Sequence, residues 1–147
     1  MIDHVWSVIC SRSSTDKETN NLSLFDIIEQ LNVLGPLPDA GAKNAVPVAY
    51  EIVSLWARSG AEPEESTGRV RLVGPNGAEA FTQEFPVNLT GHARMRTQLR
   101  TVGFPILGSG RYVFFIEIRR PNDNWESVAR IPVQLESVAE PVTTPAG

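Results

Sequence analysis

From Arg111 to Arg119 the side chains alternate without a break. Tyr112, Phe114, Ile116 and Ile118 share one face; Arg111, Val113, Phe115, Glu117 and Arg119 share the other. Strict period-two patterning predicts a strand with one face in a core. Gly108-Ser109-Gly110 turns the chain into it and Pro121-Asn122-Asp123-Asn124 turns it out. Ser127–Leu135 follows, with Ala129, Ile131, Val133 and Leu135 inward, and the two segments read as an antiparallel hairpin.

The same periodicity recurs along the chain. Val46–Ala57 places Val46, Val48, Tyr50, Ile52, Ser54 and Trp56 on one face. Arg69–Val73 and Ala80–Val87 flank Gly74-Pro75-Asn76-Gly77, and Asn-Gly is a strong hairpin signal. Arg94–Val102 sets Arg94, Arg96, Gln98 and Arg100 against Met95, Thr97, Leu99 and Thr101. His4–Ser11 reads as a first strand. In Leu22–Leu31 the spacing of Leu22, Phe25, Ile28 and Leu31 is helical, yet the neighbouring strands need partners. The segment is therefore read as a strand, with a bulge where alternation fails. Gly35–Ala45 and Ser59–Thr67, the latter holding Glu62, Glu64 and Glu65, read as long loops. Short strands punctuated by turns, with no β-α-β alternation, predict a mainly β fold. The expected form is an immunoglobulin-like antiparallel β-sandwich of about seven to nine strands with little helix. Residues 1–135 form its single domain and residues 136–147 a flexible tail.

Two stretches carry a resemblance. One is Cys10-Ser11-Arg12-Ser13-Ser14 with Thr19-Asn20-Asn21-Leu22-Ser23-Leu24-Phe25-Asp26. The other is Phe104-Pro105-Ile106-Leu107, Gly110-Arg111-Tyr112-Val113-Phe114 and Val128-Ala129-Arg130-Ile131-Pro132-Val133. The pattern resembles an uncharacterised family of small bacterial and phage proteins, in which an N-terminal strand pair leads into an immunoglobulin-like sandwich. The resemblance spans nearly all of residues 1–135. It implies the fold and brings no activity with it.

Catalytic and cofactor signatures are sparse. The only histidines are His4 and His92, and Cys10 is the single cysteine. No His-x-His, Cys-x-x-Cys, Gly-x-Ser-x-Gly or phosphate-loop ending occurs, and no cofactor is expected. Asn122-Asp123-Asn124 offers one carboxylate and reads as a turn rather than a calcium loop. If residues 4–10 form one strand, His4 stands roughly 20 Å from Cys10. Cys10 with His92 is then the one remaining thiol pair, and Cys10 reads better as a small apolar strand residue. The expectation is a protein that is not an enzyme. The net charge of −4 argues against nucleic acid and anionic membranes as partners. Absence of a basic-then-apolar N-terminal segment points to the cytoplasm.

What remains is surface. Residues 1–68 carry ten acidic against four basic side chains, whereas residues 69–147 carry nine arginines against seven acids. Arg94, Arg96 and Arg100 project from one strand face, and Arg69 and Arg71 alternate in the same way, lying near them if their strands are close. Such a stripe suits phosphates or an acidic partner. The competing reading is a solvated sheet face with Glu79, Glu84 or Glu117 across the strands. Trp125, after a polar turn, is a candidate anchor or stacking platform. The function expected is a non-catalytic protein-interaction or accessory module that binds a protein or itself, a homodimer by strand addition included. The alternative is a carbohydrate- or small-ligand-binding sandwich domain.

Overall fold

The computed structural model describes residues 1–37 and 45–138. These residues form nine strands and no helix: β1 (Ile2–Thr15), β2 (Leu22–Ile27), β3 (Gln30–Leu34), β4 (Ala45–Arg58), β5 (Glu64–Val73), β6 (Glu79–Leu89), β7 (Arg94–Pro105), β8 (Gly110–Arg119) and β9 (Trp125–Val138). One sheet has the order β2-β1-β4-β7, the other β3-β9-β8-β5-β6. Their inner faces meet in a core of Tyr50, Ile52, Trp56, Val70, Leu72, Val87, Phe104, Tyr112, Phe114, Ile116, Ile118, Val133 and Leu135, all nearly or fully enclosed. The period-two reading of 111–119 predicted its β8 members. Phe104, Phe114, Tyr112 and Tyr50 pack edge-on or tilted, with centroids 5.0 to 6.1 Å apart, a geometry that suits aromatic quadrupoles.

The sandwich is immunoglobulin-like in detail. Tyr112 stands near the start of the penultimate strand, and its hydroxyl donates to Gly108 O and accepts from Leu107 N, both at 2.6 Å. This is the tyrosine corner of such domains. The pairings are antiparallel save one: β3 runs parallel to β9, Leu31 opposite Leu135, which departs from the wholly antiparallel expectation.

That parallel pair explains the ambiguous segment. Leu22–Leu34 is two strands. The chain leaves the first sheet after Ile27 and enters the second at Gln30, with Asp26 at φ 52° and Ile28 N donating to Ile9 O. Changing sheets resets which side faces the core: Leu24 is half-buried but outside the core cluster, whereas Ile28, Leu31 and Val33 pack against it. Spacing that looked helical is alternation interrupted once.

Other boundaries move. Glu64 and Glu65, expected in a loop, lie in β5 opposite Leu89 and Asn88. β9 runs three residues past the boundary expected at 135, with Glu136, Ser137 and Val138 paired to β3. The rest of the proposed tail, 139–147, and most of the Gly35–Ala45 loop, 38–44, lie outside the described residues. The hairpins close as read: Gly77 takes φ 83° between β5 and β6, and Asn122 Oδ1 accepts Asn124 N between β8 and β9.

Candidate functional site

The five arginines do not form one patch. β7 is an edge of the first sheet and β5 belongs to the second, so Arg94, Arg96 and Arg100 face away from Arg69 and Arg71. The possibility that the two sets are neighbours is thereby corrected.

On the second sheet, Arg69 Nε and Arg71 Nε both donate to Glu117 Oε1 at 2.8 Å. Glu117 is only 6% exposed. Its burial pushes the carboxyl up, but hydrogen bonds and charge from Arg71 and Arg69 together outweigh it, and it sits below its ordinary value. Arg71 and Arg130 lie over the Phe115 ring. Arg69 and Arg119 lie over the Trp125 ring, 4.1 and 4.9 Å from its centroid. Arg69, Arg71 and Trp125 thus satisfy one another across β5, β8 and β9, and the ring is covered by two guanidinium groups.

The first sheet is different. Arg100 Nε donates to Glu51 Oε1 at 2.6 Å, and Glu51, 5% exposed, leaves its Oε2 enclosed with no partner among the described residues. Arg96 Nη2 donates to Asn20 O and Oδ1 at 2.7 and 3.1 Å, and Gln98 Nε2 donates to Ser13 Oγ at 3.1 Å. In the sheet, β4 separates β1 from β7. These contacts therefore pass above β4: the end of β1, the start of β2 and the turn between them fold over the sheet's outer face. Cys10 and Val53, which lie opposite outward Glu51 and Gln98 in the register, are fully enclosed although they stand outside the sandwich core. The overhang is a built turn. Asp16 Oδ1 accepts Glu18 N and Thr19 N, Asp16 N donates to Asn21 O, and Asn20 takes φ 60°.

Beneath the overhang lies a cleft of ≈ 1140 Å³. Trp6 and Leu55 floor it, Arg94, Arg96 and Gln98 wall it from β7, His92 closes one end, and Asn20 and Asn21 reach in from the turn. Among the described residues no carboxylate lines it. Sequence reasoning missed it because strand periodicity places a side chain on a face and says nothing of what folds back over that face. Trp6 had the only legible signal, a tryptophan in a strand.

The Cys10–His92 pair does not form. Cys10 is level with Arg100 through Glu51, whereas His92 precedes Arg94 on β7. Six strand residues alone amount to about 20 Å. Burial, then the Glu51 charge, raises the Cys10 thiol's pKa, so it stays protonated. A different contact was not foreseen: His4 Nε2 meets Ser7 Oγ at 2.7 Å, and Ser7 Oγ meets Ser54 Oγ at 2.6 Å. The bulge between His4 and Trp6 brings residues 4 and 7 onto the same face. The His4 ring also packs edge-on against Trp56 at 5.3 Å. Among the described residues no three His, Cys, Asp or Glu side chains come together as a metal site, and no helix is long and apolar enough to cross a membrane.

Comparison with family models and with curated proteins finds no match to this chain. The bacterial and phage family suggested by the sequence therefore rests on the quoted motifs alone.

Proposed function

We propose that this chain is a non-catalytic protein-interaction module that takes an extended segment of a partner protein along β7. One observation carries this reading. β7 spans Arg94–Pro105, pairs among the described residues with β4 on one side only, and is free of proline until its last residue. An unpaired strand edge offers backbone donors and acceptors to another strand. The other three edges are less suited: β2 and β3 are short, and β6 carries Pro86. Val102, 88% exposed, stands at one end of the outward row of Arg94, Arg96, Gln98 and Arg100.

Side chains opposite one another on adjacent strands interact, and like charges repel. Three arginines on β7 favour a partner segment with acidic side chains over a second copy, which would bring six arginines into one sheet. A protein with one cysteine held as a thiol suits a reducing compartment, and we place the module in the cytoplasm. The carbohydrate reading loses the stacking platform first offered for it, since Trp125 is covered by Arg69 and Arg119.

The test is capture from native-host lysate with tagged wild type and Val102→Lys, alongside light scattering. A lysine on an exposed edge discourages strand pairing. A protein retained by wild type and lost in V102K supports the reading. A concentration-independent monomer whose captured proteins are identical in both samples overturns it, and a dimer dispersed by V102K identifies a second copy as the partner.

A further inference from the structure

The cleft beneath the β1–β2 overhang shares Arg94 and Arg96 with the β7 reading but is a separate space, and its lining is specific in chemistry. We propose that it binds an anionic saccharide: a sugar ring seated on Trp6, with its acidic group held by Arg94 and Arg96.

The chain carries a net charge of −4, yet the cleft is lined by Arg94, Arg96 and His92 and, among the described residues, by no carboxylate. Arg69, Arg71, Arg100, Arg119 and Arg120 each have a carboxylate partner. Arg94 has no ion-pair partner among the described residues and is exposed at the cleft wall. Asp3 is level with it through Ala57, on the far side of β4, and does not line the cleft. Arg96 is aimed rather than neutralised. Its Nη2 is held by the Asn20 backbone and amide oxygens, so a neutral partner fixes the guanidinium while its charge stays available. A guanidinium fixed in place suits carboxylate or phosphate recognition.

Spacing supplies the second part. Trp6, Leu55 and Arg96 lie in one register row across β1, β4 and β7. Two strand spacings separate the tryptophan from the arginine by about 10 Å. Leu55, between them, gives an apolar floor. That span suits a pyranose ring on the indole with an acidic substituent or a second acidic ring toward β7. The amides of Asn20, Asn21 and Gln98 and the hydroxyls of Thr15 and Thr19 surround the same space and offer paired donors and acceptors of the kind sugar hydroxyls use. A lone tryptophan presents one stacking face, which fits the apolar side of a sugar.

The acid can be a carboxylate or a phosphate, and the experiment separates these. Calorimetric titrations use the full chain with digalacturonate, glucose 6-phosphate and lactose. The expected result is binding of one or both anions and not of lactose, weakening as salt rises. Arg94→Gln should weaken binding about tenfold, the loss expected for one charged hydrogen bond. It should leave the thermal midpoint unchanged, because Arg94 is exposed. Trp6→Phe keeps a ring on the floor and should weaken binding less than Trp6→Leu. Glucose 6-phosphate alone binding assigns phosphate as the acid; digalacturonate alone assigns carboxylate. Failure of both anions to bind, equal binding of lactose, or affinities indifferent to Arg94→Gln would overturn the proposal. Val102→Lys lies outside the cleft and should leave these titrations unaltered, so failure here and failure of the β7 reading are separately visible.

Discussion

Glu117 and Glu51 are both nearly enclosed carboxylates on outward faces, one in each sheet, but their arginines differ. Glu117 is clamped by Arg69 and Arg71, whose side chains are 21% and 31% exposed. Glu51 meets only Arg100, whose side chain is 74% exposed. Removing one partner of a buried pair costs most when the other has no route to solvent. Glu117→Gln leaves two neighbouring guanidinium groups without their anion, and its expected cost is about 3 kcal/mol, the low end for buried pairs because both arginines reach water. Arg100→Ser opens a path by which water reaches Glu51, so its cost should stay near the surface-pair range, about 1 kcal/mol. Urea unfolding of the two variants checks the order. A larger loss for Arg100→Ser would mean that Glu51 stays dry and that its carboxylate, with Oε2 already unpartnered, is the more precarious of the two.

Among the strands, β5 depends on a residue with no side chain. Gly68 lies opposite Phe85 of β6, and a Cβ at position 68 would fall 2.2 Å from the Phe85 ring. The ring fills the space that glycine leaves, and it is packed against Trp56 with centroids 6.2 Å apart, which limits its retreat. In an open strand, alanine in place of glycine would gain about 0.5–1 kcal/mol. Here overpacking should win, and Gly68→Ala is expected to destabilise by about 2 kcal/mol. Thermal melts test it, with Phe85→Leu added to the Gly68→Ala chain as the relieving change; if the double variant is no more stable than the single, the clash is not the cause. Pairings of this kind show where the sequence stops being legible. Alternation identified β8, β9, β4 and the β5–β6 hairpin, because one face of each meets a core and the pattern records that directly. The β2–β3 crossing was blurred because a strand that changes sheets carries two phases of the same pattern. The bulge at Val5 left no mark beyond an apolar residue out of phase. The β7 arginines were visible as a stripe, but their separation from Arg69 and Arg71 depends on sheet order, which no single strand encodes. The cleft depends on the turn Asp16–Asn21 reaching over β4, a tertiary contact made by polar residues that read locally as any other turn.

Across the whole molecule, acid acts on the sheets at different pH values. His4, on the inner side of β1 against Ser7 and Trp56, has its pKa lowered by burial. The unfolded chain takes up that proton near the ordinary value of 6.5, while the folded chain resists until lower pH. In that interval the unfolded state binds more protons, so stability falls as pH drops through 6.5 and levels off below the folded pKa. Glu117 acts later. Its folded pKa lies below the ordinary 4.5, so its clamp contributes fully above 4.5 and is lost as pH falls through the folded value. Asp16 joins this lower step, because the backbone N–H groups of Thr19 and then Glu18 depress its pKa. The thermal midpoint should therefore decline in two stages as pH falls, the first beginning near 6.5 and the second below 4.5, each set by groups that unfolding releases to water. His4→Gln should flatten the upper stage and leave the lower one. Glu117→Gln should lower the whole curve and shrink the lower stage without abolishing it, since Asp16 remains. A single-stage decline that survives His4→Gln unchanged would show that the His4 ring protonates in place, with Ser7 turning to accept from it. The His4–Ser7–Ser54 contacts would then tolerate an imidazolium inside the sandwich.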